Sequence, residues 1–367
     1  MAKTLERAVK DHEEWLRSHG EAGARFEASV HHQALSSAVV QGADLRGADF
    51  SNAAFRLTEF IDCKLERADF GAAKARHITF LRCDMSGVMI YDGAKMSDCE
   101  ISACALNDAY VDNAEMPALH VSESSMDGAR IAESSLPGAT FKGVTGKVFM
   151  RDVAAPDLAF IRSDFILDVG RLDAPRARMS DVAIHGAIRE TNFSDARFDK
   201  VDARGASLHS VSMARAEVSG MDVVGGDLDD VSMTAASIDD LRLDRARLDR
   251  LNLSGADIGS ARFTGAKMAR VSVAGANMRG ASGAPASVGL VDISTAVATP
   301  AIFDAAVVAA PRETGFNEDL PFVAMSVDPR DRARLLQARV NQIKVNQVEV
   351  ERPGAVRNGA VRAGVDR

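Results

Sequence analysis

Eighteen five-residue units follow one another without a shift of frame over residues 191–280. The third residue of every unit is Phe, Ala, Leu, Met, Val or Ile, and the first is nearly always small or aliphatic. A helix repeats its face every 3.6 residues and a strand every two, so neither explains a period of five. Two inward residues separated by one outward residue predict a short extended piece followed by a corner. Such pieces bury a continuous core when they stack as coils.

These units resemble the A(D/N)LXX repeats of the pentapeptide-repeat family, and the resemblance extends over roughly residues 28–280. It implies an all-β solenoid, namely a right-handed quadrilateral β-helix with four units per coil. In that fold the first and third residues of each unit point inward. We therefore expect such a β-helix with an N-terminal capping helix and a C-terminal helical and extended tail.

Residues 1–27 are expected to form a leader that caps the first coil. A helix is predicted over residues 4–18, with Thr4 as its N-cap and Gly20 in a left-handed C-cap. Its apolar stripe has helical spacing and consists of Leu5, Val9, His12 and Leu16, with Trp15 beside them. Such a helix would cover the unpaired edge and the open apolar end of the solenoid.

The first block of repeats is predicted over residues 28–143. Its units are weak near Val30 and become clear at Ala43, and one extra residue at Asp92-Gly93 shifts the frame. An Asp-Gly pair suits a corner with positive φ. Phenylalanine occupies many third positions before residue 81, which predicts a wider or better filled core at that end.

Residues 144–190 are expected to be irregular. Four apolar residues recur there every seven positions, namely Leu158, Phe165, Leu172 and Met179. We interpret them as coils with corners enlarged by two residues, which would place loops such as residues 168–171 on the outside. A heptad coiled coil is the alternative, but the prolines and glycine of this segment argue against it. Because solenoid insertions often line a binding face, the segment is a candidate contact region.

The second block of repeats is predicted over residues 191–282, and residues 283–367 are expected to form a C-terminal cap, helix and extended arm. A short helix is predicted over residues 300–309, and a second begins with Asp328 as N-cap and Pro329 behind it. The arm from about residue 350 to residue 367 has no core-forming period and should be disordered alone. Our hypothesis is that a neighbouring chain holds it.

All four cysteines, Cys63, Cys83, Cys99 and Cys104, fall at the small inward position of a unit. Three of them are about one coil apart and should stack in one column. We interpret them as small buried residues that replace alanine. Their separation would permit a disulfide, which a reducing cytosol argues against. Metal-binding spacings are absent.

Charge is unevenly distributed along the chain. Residues 84–133, which we call the acidic belt, carry ten acidic and two basic side chains. Residues 191–280 are almost neutral, and residues 329–367 carry nine basic and four acidic side chains. A charged run often serves only solubility. The functional interpretation is that the belt contacts a basic arm of another copy or a basic partner.

No catalytic, cofactor-binding or metal-binding residue is predicted, and we expect no enzyme. Motifs for nucleotide, zinc or serine-hydrolase chemistry are absent. His31 and His32 lie in a weak early repeat, and His77, His120, His185 and His209 fall at outward or corner positions, so we interpret each as a surface residue and not as a catalytic base. Basic and aromatic residues form no joint surface, so direct nucleic-acid binding is not expected. Neither a membrane span nor a secretory signal is expected, which favours a cytoplasmic location, or a virion or secreted assembly reached without a signal peptide.

Two classes of function remain open. The first is a rigid, non-enzymatic scaffold that is built into a larger assembly, such as a phage particle or secretion-type complex, through its C-terminal arm. The second follows from the resemblance, because some pentapeptide-repeat proteins imitate duplex DNA and bind type II topoisomerases such as DNA gyrase. That role needs negative charge along much of the rod, and half of this rod is near neutral.

Overall fold

A parallel β-solenoid of about 13 turns with one N-terminal helix forms the molecule in a computed structural model, which describes residues 2–27, 35–292, 296–298 and 323–324. Each strand pairs with one that lies about one coil further along the chain. Phe55 is opposite Ala75, and Leu208 is opposite Leu228. Twenty residues, or four five-residue units, therefore make one coil, and the expected solenoid is confirmed.

The N-terminal part contains one helix and ten strands, which are α1 (Ala2–Arg17), β1 (Val39–Gln41), β2 (Ala54–Ile61), β3 (Lys74–Leu81), β4 (Met89–Ile90), β5 (Lys95–Ser97), β6 (Glu100–Ser102), β7 (Tyr110–Asp112), β8 (His120–Ser122), β9 (Ala129–Ala132) and β10 (Thr140–Lys142). The middle part has three long strands, which are β11 (Thr145–Ala154), β13 (Asp164–Asp173) and β14 (Arg178–Asn192), and the short β12 (Ala159–Ile161). The described residues of the last part form fourteen strands, which are β15 (Arg197–Asp202), β16 (Ser207–Ser212), β17 (Glu217–Asp222), β18 (Asp227–Ser232), β19 (Ser237–Arg242), β20 (Arg247–Asn252), β21 (Asp257–Ile258), β22 (Ala261–Arg262), β23 (Lys267–Ser272), β24 (Asn277–Met278), β25 (Ala281–Ser282), β26 (Ser287–Asp292), β27 (Val297–Ala298) and β28 (Val323–Ala324).

The corners of the coil explain the period of five. A residue with positive φ recurs every five positions, as at Asn52, Leu57, Asp62, Arg67 and Ala72, whose φ angles lie between 52° and 57°. The left-handed conformation turns the chain, so that four of these residues close one coil. The extra residue predicted at Asp92-Gly93 lies in such a corner, since both residues have positive φ.

An Asp or Asn at the second position of a unit stabilises the following corner. The backbone N–H of Ser51 donates to Oδ1 of Asp49 at 2.8 Å, and that of Ser254 donates to Oδ1 of Asn252 at 2.9 Å. These side chains satisfy N–H groups that point away from the neighbouring coil. The outward Asp and Asn residues of the repeats are therefore structural at many positions.

The core is a continuous column of first-position and third-position side chains. Phe193, Phe198 and Leu208 are at most 2% exposed, as the five-residue period predicts. The phenylalanine-rich end is confirmed as a packed aromatic stack. Its closest pair is Phe50 and Phe70, with ring centroids 4.8 Å apart.

Residues 144–190 differ from the expectation of enlarged corners. Thr145 pairs with Asp164, and Asp164 pairs with Ala183, so each coil here contains 19 residues and is shorter than the others. One of its four corners is replaced by continuous extended chain in β11, β13 and β14. Residues 168–171, expected in an outer loop, lie inside β13, where Val169 is buried.

The seven-residue spacing misled the interpretation because apolar residues fill both inward positions of these units. Leu158 and Leu172 take the first position, whereas Phe165 and Met179 take the third. Pro156 and Pro175 lie in turns. The segment contains no insertion. The argument that an insertion makes it a contact region therefore does not hold. The boundaries of the five segments remain a prediction.

The N-terminal helix covers the first coils. It begins at Ala2, so Thr4 lies within the helix and is not its N-cap. Alanine is a strong helix former, which allows the helix to extend past Thr4. At the other end His19 (φ 56°) takes the left-handed position, and Gly20 (φ 93°) donates its N–H to the carbonyl of Trp15 at 2.8 Å. Gly20 therefore belongs to the C-cap, as predicted, one position further out.

The C-terminal end is partly described. The strand β28 pairs antiparallel with β26, where Val323 is opposite Val291. The helices predicted over residues 300–309 and from Asp328, and the arm over residues 350–367, lie outside the described residues.

Candidate interaction surface

The acidic belt forms an exposed ring of carboxylates around the solenoid. Its ten acidic residues occupy outward or corner positions in coils that share one rigid sheet. Those that are exposed and make no salt bridge with a described residue are Asp92, Glu100, Asp108, Glu123, Asp127 and Glu133, and the half-buried Asp84 and Asp112 also make none. The belt thus presents eight carboxylates without a cation from any residue that the structure describes.

Two acidic residues of the belt do have partners one coil away. The Nζ of Lys95 lies 2.9 Å from Oε1 of Glu115, and Nδ1 of His77 lies 3.7 Å from Oδ2 of Asp98. The second basic residue of the belt, Arg130, lies over the ring of Phe149 at 5.8 Å from its centroid. The cations of the belt therefore neutralise little of its charge.

The C-terminal half of the rod is different because its charges pair from coil to coil. Arg215 contacts Asp195 at 2.7 Å, Arg262 contacts Asp244 at 2.8 Å and Arg250 contacts Asp229 at 2.5 Å. The side-chain hydrogen bonds from Arg215 hold the pKa of Asp195 below its usual range, and Arg176 has the same effect on the pKa of Asp157. The near-neutral composition of residues 191–280 thus corresponds to a surface of local ion pairs.

The cysteine column is confirmed in the core. Cys63, Cys83 and Cys104 stack in successive coils, and all four cysteines are buried and free. The backbone N–H of Cys83 donates to Sγ of Cys104 at 3.3 Å, and that of Cys104 donates to Oγ of Ser124 at 3.0 Å. Hydrogen bonding to Cys104, together with burial, raises the pKa of the Cys83 thiol to about 11. Sequence analysis treated these residues only as small apolar replacements and missed their role as acceptors.

The histidines with exposed side chains lie where the sequence placed them. His77 occupies a corner, and His120, His185 and His209 point outward. Nδ1 of His209 lies 3.0 Å from Oδ2 of Asp229, within salt-bridge distance. His31 and His32 lie outside the described residues. Nowhere in the described ranges do three or more His, Cys, Asp or Glu side chains come together in a way that could hold a metal ion.

One surface feature escaped sequence analysis. Four prolines, Pro117, Pro137, Pro156 and Pro175, occupy the same position in successive coils. Their carbonyls accept hydrogen bonds from the preceding coil, such as that of Pro137 from Ala118 at 2.9 Å. The missing proline N–H costs nothing there, because this position has no coil partner for a donor. The spacing of 19 or 20 residues between them was the available signal.

The repeats match a known family. The sequence pattern described as pentapeptide repeats matches eight copies, over residues 35–71, 191–230, 227–265 and 246–282. These residues of the chain are therefore pentapeptide repeats. The 20-residue coils, the corners every five residues and the inward first and third positions continue outside the matched ranges. No curated protein matches its sequence.

Three solved structures match this chain with low sequence identity and with TM-scores below 0.5. Full-length QnrB1, a plasmid-mediated fluoroquinolone resistance protein, is 15% identical over 62% of this chain and 99% of its own, with a TM-score of 0.30. HetL, involved in heterocyst differentiation regulation in the cyanobacterium Nostoc sp. strain PCC 7120, is 19% identical over 65% and 95%, with a TM-score of 0.18. A mannuronic acid specific polysaccharide lyase from human gut microbiota is 8% identical over 89% and 98%, with a TM-score of 0.25. Among the described residues of the present protein, no helix is long and apolar enough to cross a membrane.

Proposed function

We propose that this chain is a non-enzymatic scaffold that binds a basic surface of a partner protein through its acidic belt. The observation that carries the proposal is the contrast within one rod between eight unpaired carboxylates in the belt and coil-to-coil ion pairs further on. Unpaired charges of one sign attract a complementary surface and accelerate its encounter. The rigid β-helix fixes their positions, so that little ordering entropy is lost on binding.

The scaffold would serve within a larger assembly of the phage-particle or secretion type. Residues 350–367 are the proposed tie to neighbouring chains, since their basic character complements a belt on another copy. This part of the proposal predicts that deletion of residues 350–367 abolishes co-assembly and leaves the β-helix intact. Analytical ultracentrifugation of the full and truncated chains with the isolated assembly would measure both effects.

A defined probe tests the belt directly. We expect an oligolysine peptide to bind the wild-type chain at low ionic strength, and the triple variant Glu100→Gln, Glu123→Gln and Glu133→Gln to bind it about tenfold more weakly. A control with the same charge change outside the belt carries Asp157→Asn, Asp195→Asn and Glu217→Gln. Equal weakening in the control, measured by isothermal titration calorimetry, would show that net charge rather than the belt attracts the peptide.

A DNA-mimicking protein that binds a type II topoisomerase is the second candidate, favoured by the same unpaired carboxylates and implied by the family. It predicts that stoichiometric protein inhibits supercoiling by DNA gyrase, that excess DNA relieves the inhibition, and that the belt variant loses it. Under the scaffold proposal none of these effects occurs, because the near-neutral half of the rod offers no continuous negative surface.

A further inference from the structure

A groove with basic walls lies on one face of the rod and overlaps the N-terminal part of the belt, which contributes Lys95 and Glu115 to its lining. It has a volume of about 480 Å³ and runs across β2, β3 and β5. Four outward cations line it, namely Arg56, Lys74, Arg76 and Lys95, and Glu115 closes its C-terminal end. All four cations are exposed.

The register of the strands stacks these cations directly on one another. Arg56 of β2 is opposite Arg76 of β3. Lys74 of β3 is opposite Ala54 of β2 on one side and Lys95 of β5 on the other. Adjacent strands are about 4.8 Å apart, and residues two apart along a strand are separated by about 6.6 Å. The four groups therefore form a staggered array of positive charge in two columns, which spans about 10 Å across three coils and about 7 Å along the strands.

Several other cations of the rod have a carboxylate as their neighbour one coil away. Arg82 contacts Asp62 at 2.7 Å and Arg176 contacts Asp157 at 2.7 Å, each across one coil. In the groove, the corresponding neighbours one coil away are cations, and like charges placed directly opposite each other destabilise a sheet. Only Lys95 has an acidic partner among the described residues, the carboxylate of Glu115.

We propose that this groove binds an acidic, extended protein segment whose carboxylates take the place of the missing partners. Carboxylates are the partners of other arginines of this rod, such as Arg82 and Arg176, and Glu115 is a carboxylate already bound to a groove cation. Alternate side chains of an extended segment lie about 6.6 Å apart, which matches the separation of the two cation columns. The rod then offers two oppositely charged surfaces, the groove and the belt, and could join a basic partner to an acidic one.

The test uses the full chain with an oligoglutamate peptide as probe. Binding at low ionic strength should weaken as salt rises and fall about tenfold or more in the double variant Lys74→Gln and Arg76→Gln. The matched control, Lys142→Gln and Arg178→Gln, removes two exposed cations elsewhere on the rod and should bind as the wild type does. The groove variant should also keep or raise its melting temperature, because it relieves the repulsion between stacked cations.

Three results would overturn the proposal. They are no binding of the peptide by the wild-type chain, equal weakening in the control variant, or preference of the groove for an oligothymidylate of equal charge, which would mark a nucleic-acid surface. The belt variant with Glu100→Gln, Glu123→Gln and Glu133→Gln should bind oligoglutamate as well as the wild type does. The groove proposal therefore fails or succeeds independently of the belt.

Discussion

Single side chains in the core do more than fill space. In the cysteine column, each sulfur accepts a hydrogen bond from the backbone of the preceding coil, as Cys104 does from the N–H of Cys83. Serine plays the same role in neighbouring coils, where Ser134 accepts from the N–H of Ala114 at 3.1 Å and donates to the carbonyl of Ala132 at 2.5 Å. Cysteine and serine are thus equivalent acceptors at these positions, and alanine is not.

Replacement of Cys83 should separate the role of its sulfur as a hydrogen-bond acceptor from its role in filling the core. Cys83→Ser should change the free energy of unfolding by less than about 1 kcal/mol, because a hydroxyl can accept from the N–H of Cys63 and donate to a carbonyl. Cys83→Ala should cost about 1–3 kcal/mol, because it leaves a buried N–H unsatisfied. Urea denaturation of both variants measures the difference. If the alanine variant is the more stable of the two, the sulfur acts only as packing.

At the scale of elements, the short coils show how the fold tolerates a lost residue. Where the fourth corner is missing, the chain is extended through β11, β13 and β14. One glycine in β11 and one in β14 have backbone conformations that other residues rarely adopt. Gly146 has φ 120° and Gly186 has φ 121°. A Cβ on Gly186 would lie 2.3 Å from the carbonyl oxygen of Leu167, so the backbone of the neighbouring coil comes close only because no side chain intervenes.

We expect Gly186→Ala to lower the free energy of unfolding by about 1–3 kcal/mol, through strain at positive φ and the close approach to Leu167. The matched control is Gly170→Ala in the adjacent strand, where a Cβ would meet nothing within 4 Å. That control should be neutral or stabilising by up to about 1 kcal/mol, since alanine restricts the unfolded chain. Thermal and urea denaturation of the two variants would show equal behaviour if the short coils carry no strain.

The same coils show which parts of the fold could be predicted from the sequence and which could not. Over residues 191–280 the spacing of five is unbroken through eighteen units, so the frame was unambiguous and the structure agrees. In residues 144–190 each coil has 19 residues, so the spacing of five breaks once per coil, and nothing in the sequence marks where it resumes. The belt was visible as composition, but its lack of partners depends on register between coils. The groove was missed because Arg56 and Arg76 become neighbours only when coils stack.

At the scale of the whole molecule, the solenoid depends on the closure of its ends. The helix α1 reaches the first coils through His12, which is fully buried. Its Nδ1 accepts from the N–H of Phe26 at 2.9 Å, and its Nε2 lies 3.2 Å from the carbonyl oxygen of Arg46. The ring is therefore neutral, with its proton on Nε2. Trp15, the single tryptophan of the chain, stacks on it with centroids 5.6 Å apart.

Burial lowers the pKa of His12 below 6.5, with smaller opposing effects from the Arg46 carbonyl and from Asp44 and Glu13, and a further lowering by Arg25. An undocked helix would carry a histidine of ordinary pKa. Below pH 6.5 the undocked form therefore binds a proton that the docked form does not. Docking is fully stabilised above that pH, weakens as the pH falls towards the lowered value, and then levels off.

We expect acidification from about pH 8 to about pH 5 to release the cap, because a proton on Nδ1 would face the N–H of Phe26. Release should shift the fluorescence of Trp15 and expose residues 2–27 to limited proteolysis. His12→Gln keeps a donor and an acceptor without titrating, so its proteolysis should not depend on pH in this range. A variant as sensitive to pH as the wild type would assign the effect to Asp44 or Glu13. Because the cap covers an open strand edge, its release should also promote end-to-end association of rods, detectable by light scattering at low pH in the wild type alone.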